Sequence, residues 1–207
     1  MSAARVVVLD YGSGNLHSAS RALAEAGAEV ELTADPARAL AADGLVVPGV
    51  GAFAACMAQL RQVGGDQVVA ERVAAGRPVL GICVGHQVLF ASGDEHGVVT
   101  PGLGVYPGQV TRVPTTRVPH MGWNTVEVPP GSWLFAGTEQ ERFYFVHSYA
   151  ALRGEDLPPQ ALVTWTVHEQ VRVVAAVEQD GVCSTQFHPE KSGAAGARLL
   201  RTWVDRL

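Results

Sequence analysis

In the first half of the chain, short apolar, β-branched runs alternate with segments whose apolar positions recur at helical spacing, a pattern that predicts a parallel sheet with crossover helices. Residues 5–10 read as a buried strand. Residues 15–26 place Leu16, Ala19, Leu23 and Ala24 on one helical face, and Gly27 stands where a left-handed terminator belongs. A strand over 28–32 follows, and Asp35-Pro36 then opens a short helix with a capping side chain and a proline at the first helical position. The run 45–47 predicts a third strand ending at Pro48-Gly49. Helices are expected over 52–62 and 66–75, before the apolar run 78–82 predicts a central strand that ends at Cys83.

The second half reads differently. Segments 105–113, 142–146, 161–167, 172–178 and 182–187 predict strands without intervening helices, so part of this sheet structure is expected to be antiparallel. Residues 192–207 form an amphipathic pattern with Ala195, Leu199, Leu200 and Val204 on the apolar side. The proline-rich stretch 128–132 reads as a surface loop. No repeat or linker interrupts the pattern, so one α/β domain is expected over 1–207: a mostly parallel central sheet flanked by helices, with an additional, partly antiparallel sheet.

Composition narrows the function. A hydrophobic content of 47% over 207 residues suits a buried core. A net charge of −5, with the 15 Lys and Arg scattered singly, offers no footprint for nucleic acid. No apolar run approaches the roughly 20 residues that cross a bilayer, and the N-terminus leads into a strand pattern rather than a signal peptide, so the cytoplasm is the expected location. Cys56, Cys83 and Cys183 are far apart, with no C-x-x-C pair, which argues against disulfides and structural zinc.

Gly81-Ile82-Cys83-Val84-Gly85-His86-Gln87 sets a cysteine between a strand and an expected helix, with glycines two residues to either side, as in a nucleophile elbow. A sulfur at a helix N-terminus feels the positive end of the dipole, which favours the reactive thiolate. An arbitrary free cysteine is more often a small buried hydrophobe; the glycine pattern at a strand end reverses those odds. Late in the chain, Gln186-Phe187-His188-Pro189-Glu190 is read as extended, which puts His188 and Glu190 on one face: a proton carrier and the acid that orients it. Pro48-Gly49-Val50-Gly51 follows a strand and could turn backbone N–H groups of Val50 and Gly51 towards an oxyanion, with the N–H of Val84 as a further donor. An ordinary strand-to-helix turn is the bland alternative. Gly12-Ser13-Gly14 lacks the third glycine of a dinucleotide fingerprint, and His168-Glu169 lacks the second histidine of a zinc-protease helix. His17, His86, His96, His120 and His147 show no metal-ligand spacing and are assigned surface or core roles; no metal and no cofactor are expected.

These motifs resemble those of class I glutamine amidotransferases. Within that class, Tyr11-Gly12-Ser13-Gly14-Asn15, Pro119-His120-Met121-Gly122-Trp123-Asn124, Phe145-Val146-His147-Ser148-Tyr149 and His188-Pro189-Glu190-Lys191-Ser192 are similar to the glutaminase branch that serves imidazole glycerol phosphate synthase in histidine biosynthesis. The resemblance spans nearly the whole chain and implies the class I glutamine amidotransferase fold. It implies Cys83 as nucleophile, His188 as acid and base and Glu190 as its orienter, with Gln87, Glu95, Ser148 and Tyr149 holding glutamine. The implied partner is a (β/α)8-barrel cyclase, met by Asn15, Trp123, Tyr144 and Lys191. Alternatives are a glutaminase for another ammonia-consuming synthase, such as those of pyridoxal phosphate or anthranilate synthesis, and a non-catalytic module of the same fold.

Overall fold

The computed structural model describes residues 3–154 and 156–207. The apolar runs of the first half form β1 (Arg5–Leu9), β2 (Glu29–Thr33), β3 (Gly44–Gly49) and β4 (Val79–Cys83), and between them run α1 (Leu16–Glu25), α2 (Pro36–Ala41), α3 (Phe53–Gln62) and α4 (Gly65–Ala74). β4 feeds a one-turn helix, α5 (Val84–Gln87). The chain continues through β5 (Phe90–Glu95), β6 (Val98–Pro101), β7 (Tyr106–Arg112), β8 (His120–Thr125), β9 (Arg142–His147), β10 (Tyr149–Ala151), β11 (Leu162–His168), β12 (Val171–Gln179) and β13 (Val182–Thr185). A 3-10 turn at Pro189–Lys191 leads into α6 (Gly193–Val204).

The main sheet has seven strands in the order β11-β12-β13-β4-β3-β1-β2. From β2 to β13 neighbours are parallel, whereas β12 and β11 add antiparallel pairs. Every residue of β3 and of β4 is buried, as strands covered on both faces require. A four-stranded sheet, β10-β7-β5-β6, and the β8–β9 hairpin lie beside it, and an isolated bridge from Glu127, just past β8, to Trp165 ties the hairpin to β11. This is the expected mostly parallel sheet with additional antiparallel structure.

The helix signals read from sequence hold where local chemistry dominates. The Asp35 carboxylate accepts from the N–H of Ala37 at 2.8 Å and of Arg38 at 3.4 Å, capping α2. In α1, Ala19 and Leu23 are buried, but Ala24 faces solvent and Ala26 takes the next place in the core. At 3.6 residues per turn, Ala24 lies about 140° from Ala19, off the stripe that 19, 23 and 26 define. β5, β6, β8 and β10 are strands that the hydrophobic pattern does not predict. β5 and β8 have a composition poor for a strand, with Gly93, Asp94 and Gly122 inside them, while β6 and β10 are only four and three residues long, too short to show a periodicity; pairing with a neighbour makes all four extended. The strand expected over 182–187 stops at Thr185, whose hydroxyl donates to the Phe187 carbonyl at 3.0 Å as the chain bends away.

One buried charge organises the edge of the sheet opposite the strands' C-terminal ends. The Arg72 side chain is fully buried, and its guanidinium donates to the carbonyls of Ala39, Leu40, Ala42, Asp43 and Pro78 at 2.8 to 3.4 Å. Burial, with the charge of Arg77 nearby, lowers its pKa to about 10, so it remains charged at neutral pH. Arg72→Met is expected to destabilise the protein by about 3 kcal/mol, because carbonyls left buried without donors cost more than a methionine gains. A denaturant midpoint unchanged in Arg72→Met would show that water replaces the guanidinium.

Candidate active site

The site is built on the turn from β4 into α5. Cys83 has φ 58 and ψ −112, a conformation non-glycine residues rarely adopt. The flanking glycines allow it through close approach. A Cβ on Gly85 would lie 1.8 Å from the Val47 carbonyl oxygen, and one on Gly81 would lie 2.7 Å from that of Gly85. Helix and strand therefore touch backbone to backbone, and the turn projects the sulfur beyond the sheet.

The register brings two further segments to the same rim. Gly49 of β3 pairs with Cys83 and Thr185 of β13 pairs with Ile82, so 48–51 and 186–190 leave the sheet on either side of the cysteine, at the C-terminal ends of parallel strands. His188 and Glu190 meet there: Nδ1 of His188 lies 2.7 Å from Oε1 of Glu190, with both side chains buried. The extended segment expected from sequence is not what aligns them. Pro189–Lys191 forms a 3-10 turn, because proline suits the first position of a helical turn, and the Lys191 N–H donates to the His188 carbonyl at 3.1 Å. The turn is anchored to β9: the His188 N–H donates to the Tyr144 carbonyl at 2.9 Å, and the Ser192 hydroxyl donates to the His188 carbonyl at 2.7 Å.

With Nδ1 committed to Glu190, the other ring nitrogen of His188 is the one left for chemistry. Burial alone would disfavour the imidazolium, yet contact with the Cys83 sulfur and with Glu190 outweighs it and raises the His188 pKa to about 9. The stability this contact contributes is fully present below the ordinary histidine value and is lost as pH rises through about 9. A His188→Gln variant is accordingly expected to lose the wild-type decline in melting temperature between about pH 7 and pH 10, read by thermal melts across that range.

A cavity of about 240 Å³ opens above Cys83, a volume suited to an amino acid rather than a nucleotide. Val50, Gly51 and Val84 line it, as do Gln87, Glu95, Ser148 and Tyr149, together with His188 and Lys191. Glu190 stands behind His188 rather than in the wall. Val146 and His147, which sequence reasoning does not select, also line the cavity. The signal for His147 is the alternation of β9, whose buried positions are Phe143, Phe145 and His147.

The residue types at the wall sort by what they already hold. Both amide hydrogens of Gln87 are used, towards the Tyr149 carbonyl at 2.8 Å and Oε1 of Gln186 at 2.9 Å. Oε2 of Glu95 accepts the Phe53 N–H at 2.9 Å, serving an α3 N-terminus whose own cap residue, Ala52, has no side-chain acceptor. The Val50 N–H donates to the Ser13 hydroxyl at 3.2 Å, while the Val50 carbonyl accepts from the same hydroxyl at 2.9 Å and from the Cys56 thiol at 3.2 Å. Sequence reasoning misses Ser13. Gly12-Ser13-Gly14 serves this peptide and carries no dinucleotide fingerprint.

The glutamine amidotransferase class-I family profile matches residues 7–207. The chain belongs to this family. Among its relatives, the imidazole glycerol phosphate synthase subunit HisH of Mycobacterium tuberculosis is 62% identical over 100% of both chains. That of Nocardia farcinica is 61% identical, also over 100% of both, and that of Corynebacterium diphtheriae is 57% identical over 98% of this chain and 99% of its own. Two solved structures share the fold at 21% identity: a glutamine amidotransferase, with a TM-score of 0.74 over 98% of this chain and 99% of that one, and a putative GMP synthase subunit from Thermoplasma acidophilum, with 0.73 over 99% and 94%.

In this amidotransferase the expected docking residues separate into two groups. Trp123 and Tyr144 face each other across the β8–β9 hairpin, rings 6.1 Å apart and edge to face, and Trp123 is 48% exposed. Lys191 is exposed at the cavity mouth. Asn15 sits at the start of α1, which packs against the 188–191 turn, and its side chain makes no capping bond. None of its helices among the described residues is long and apolar enough to cross a membrane.

Proposed function

We propose that this amidotransferase is the glutaminase subunit of an imidazole glycerol phosphate synthase, hydrolysing glutamine at Cys83 and passing ammonia to a (β/α)8-barrel cyclase in the cytoplasm, within histidine biosynthesis. The observation that carries this reading is an elbow cysteine beside a buried His188–Glu190 pair, in a chain 62% identical along its whole length to a HisH subunit.

The Cys83 thiolate attacks the carboxamide carbon, and the N–H groups of Val84 and the Val50–Gly51 turn receive the oxyanion. His188 protonates the departing nitrogen, ammonia leaves, and a thioester to Cys83 remains. Water activated by His188 then releases glutamate, and Glu190 keeps the imidazole in one tautomer throughout. Gln87, Glu95, Ser148 and Tyr149 hold the substrate. Ammonia released into neutral water would be protonated and lost as a nucleophile, which is why the acceptor must dock over the cavity. The deciding experiment is glutamate production with and without the cyclase. Stimulation by a pyridoxal phosphate or anthranilate synthase partner instead would reassign the acceptor, and no turnover with any of them would favour a non-catalytic module.

Asn15, Trp123, Tyr144 and Lys191 form the docking face in this reading. Aromatic rings and amides at its centre suit a contact that must exclude water around escaping ammonia. Lys191→Ala or Asn15→Ala is expected to leave the melting temperature of the free chain unchanged and to weaken the complex on the order of tenfold, measured by titration calorimetry. Unaltered affinity and unaltered stimulation in both variants would place docking elsewhere.

A further inference from the structure

The motif Pro119 to Asn124 contributes Trp123 to the docking face, but its His120 and Asn124 point elsewhere. His120 and His147 are opposite each other in the β8–β9 register, both buried, with Nδ1 of His120 2.9 Å from Nε2 of His147. The ends of this pair are fixed by groups with no choice of role. Nδ1 of His147 lies 3.0 Å from the Tyr149 carbonyl, which can only accept, so that nitrogen carries the proton. Nε2 of His147 is then an acceptor, and Nδ1–H of His120 donates to it. Nε2 of His120 in turn accepts from the Asn124 amide at 3.1 Å. The Asn124 amide is itself oriented by the Val167 carbonyl at 2.9 Å, and its oxygen by the Thr125 N–H at 2.9 Å. Every proton in the chain is placed, and both rings are neutral. Burial agrees, lowering His120 to about 4 and His147 to about 3. The rings of Phe145 and His168 stack on either side of His120 at 4.7 and 4.3 Å, which locks its plane.

The Tyr149 carbonyl that ends this chain also accepts from Gln87, and the Gln87 amide also donates to Gln186, whose own amide nitrogen lies 4.0 Å from the Cys83 sulfur. A carbonyl held there obliges Gln87 to present its nitrogen to it, and its oxygen is left as an acceptor at the cavity. We infer that the His120–His147 pair is a positioning unit for glutamine binding: it fixes the Tyr149 carbonyl and, through it, the orientation of the Gln87 amide. This rests on the reading of Gln87 and Tyr149 as the residues that hold glutamine. Neither histidine touches the reacting atoms in this scheme. Their effect is on how well the cavity recognises its substrate.

The test uses the complex with the cyclase and steady-state glutamine hydrolysis. His120→Phe keeps a ring between Phe145 and His168 but removes the proton given to His147. It is expected to raise KM for glutamine about tenfold, the loss typical of one buried hydrogen bond left unmade, while kcat stays within about twofold. Alkylation of Cys83 by iodoacetamide, which does not use the glutamine contacts, is expected to keep its wild-type rate. His120→Asn, whose amide N–H replaces Nδ1–H, is expected to restore KM to within about threefold of wild type. A wild-type KM in His120→Phe, or equal changes of KM, kcat and melting temperature in both variants, overturns the proposal by reducing His120 to packing. Should His120→Phe fail to fold, His120→Gln carries its amide at the distal position and makes the same contrast with His120→Asn; equal KM values there overturn it. Gln87→Leu separates the positioning role of His120 from the glutamine-holding role of Gln87. If it raises KM and His120→Phe does not, only the positioning role fails; if it leaves KM unchanged, the glutamine-holding assignment fails and this proposal with it.

Discussion

Cys83→Ala is expected to abolish glutamine hydrolysis, a loss on the order of 10⁶-fold in turnover, while the fold and the cyclase complex persist. The substitution removes the only atom that can form the thioester but very little volume. The elbow's shape is set by Gly81, Gly85 and the pairing of Gly49 with Cys83, none of which involves the sulfur. The measurement is glutamate release by purified protein, with a thermal melt and a binding titration on the same sample. Substantial residual activity in a folded variant would remove Cys83 from the mechanism. His188→Ala should be nearly as severe, since it removes the group that moves the proton, and Glu190→Ala milder, since an orienter acts only through the imidazole. Equal or reversed losses would mean that these roles are wrongly divided.

The second large effect concerns the chain without its partner, which is expected to turn over glutamine about 100- to 1000-fold more slowly than the complex, the usual consequence of one missing oxyanion donor. The Ser13 hydroxyl holds Val50 on both sides, accepting from its N–H in the Gly49–Val50 peptide and donating to its carbonyl in the Val50–Gly51 peptide, and the Cys56 thiol adds a second bond to that carbonyl. An N–H engaged with Ser13 is not available to an oxyanion above Cys83. Gly49 and Gly51, the latter with φ 88, flank the two peptides of Val50 and give this turn the freedom to rotate them once docking alters its surroundings. Steady-state assays at saturating glutamine, with and without the cyclase, measure the difference directly. Ser13→Ala in the free chain should raise the basal rate, because both contacts of the hydroxyl with Val50 disappear together. Full activity from the free wild-type chain would show that no such gate exists.

Much of the site is legible in the sequence, because its chemistry is written in local spacing. Glycines two residues either side of Cys83 describe an elbow without reference to distant residues, and the cap at Asp35 is equally local. His188 and Glu190 do pair, but period-two spacing is an incomplete reason for it: they meet across a 3-10 turn begun by Pro189, not along a pleated strand. Two of the strands missed share one cause. β5 and β8 contain Gly93, Asp94 and Gly122, and only the neighbouring strand decides that such segments are extended.

The sequence alone determined the alternation that makes a parallel sheet, the glycine-flanked turn at Cys83 and the residue types around it, since these depend on spacing over a few residues. Tertiary structure alone decided three other things. The rim where segments 48–51, 83–87 and 186–190 converge depends on β4 lying between β3 and β13, an order set by sheet pairing rather than by chain position. The engagement of Val50 with Ser13 joins residues 37 apart in sequence. The role of His120 depends on His147, 27 residues away, because a hydrogen-bonded histidine acquires its proton and its direction from its partner, and partners are chosen by the fold.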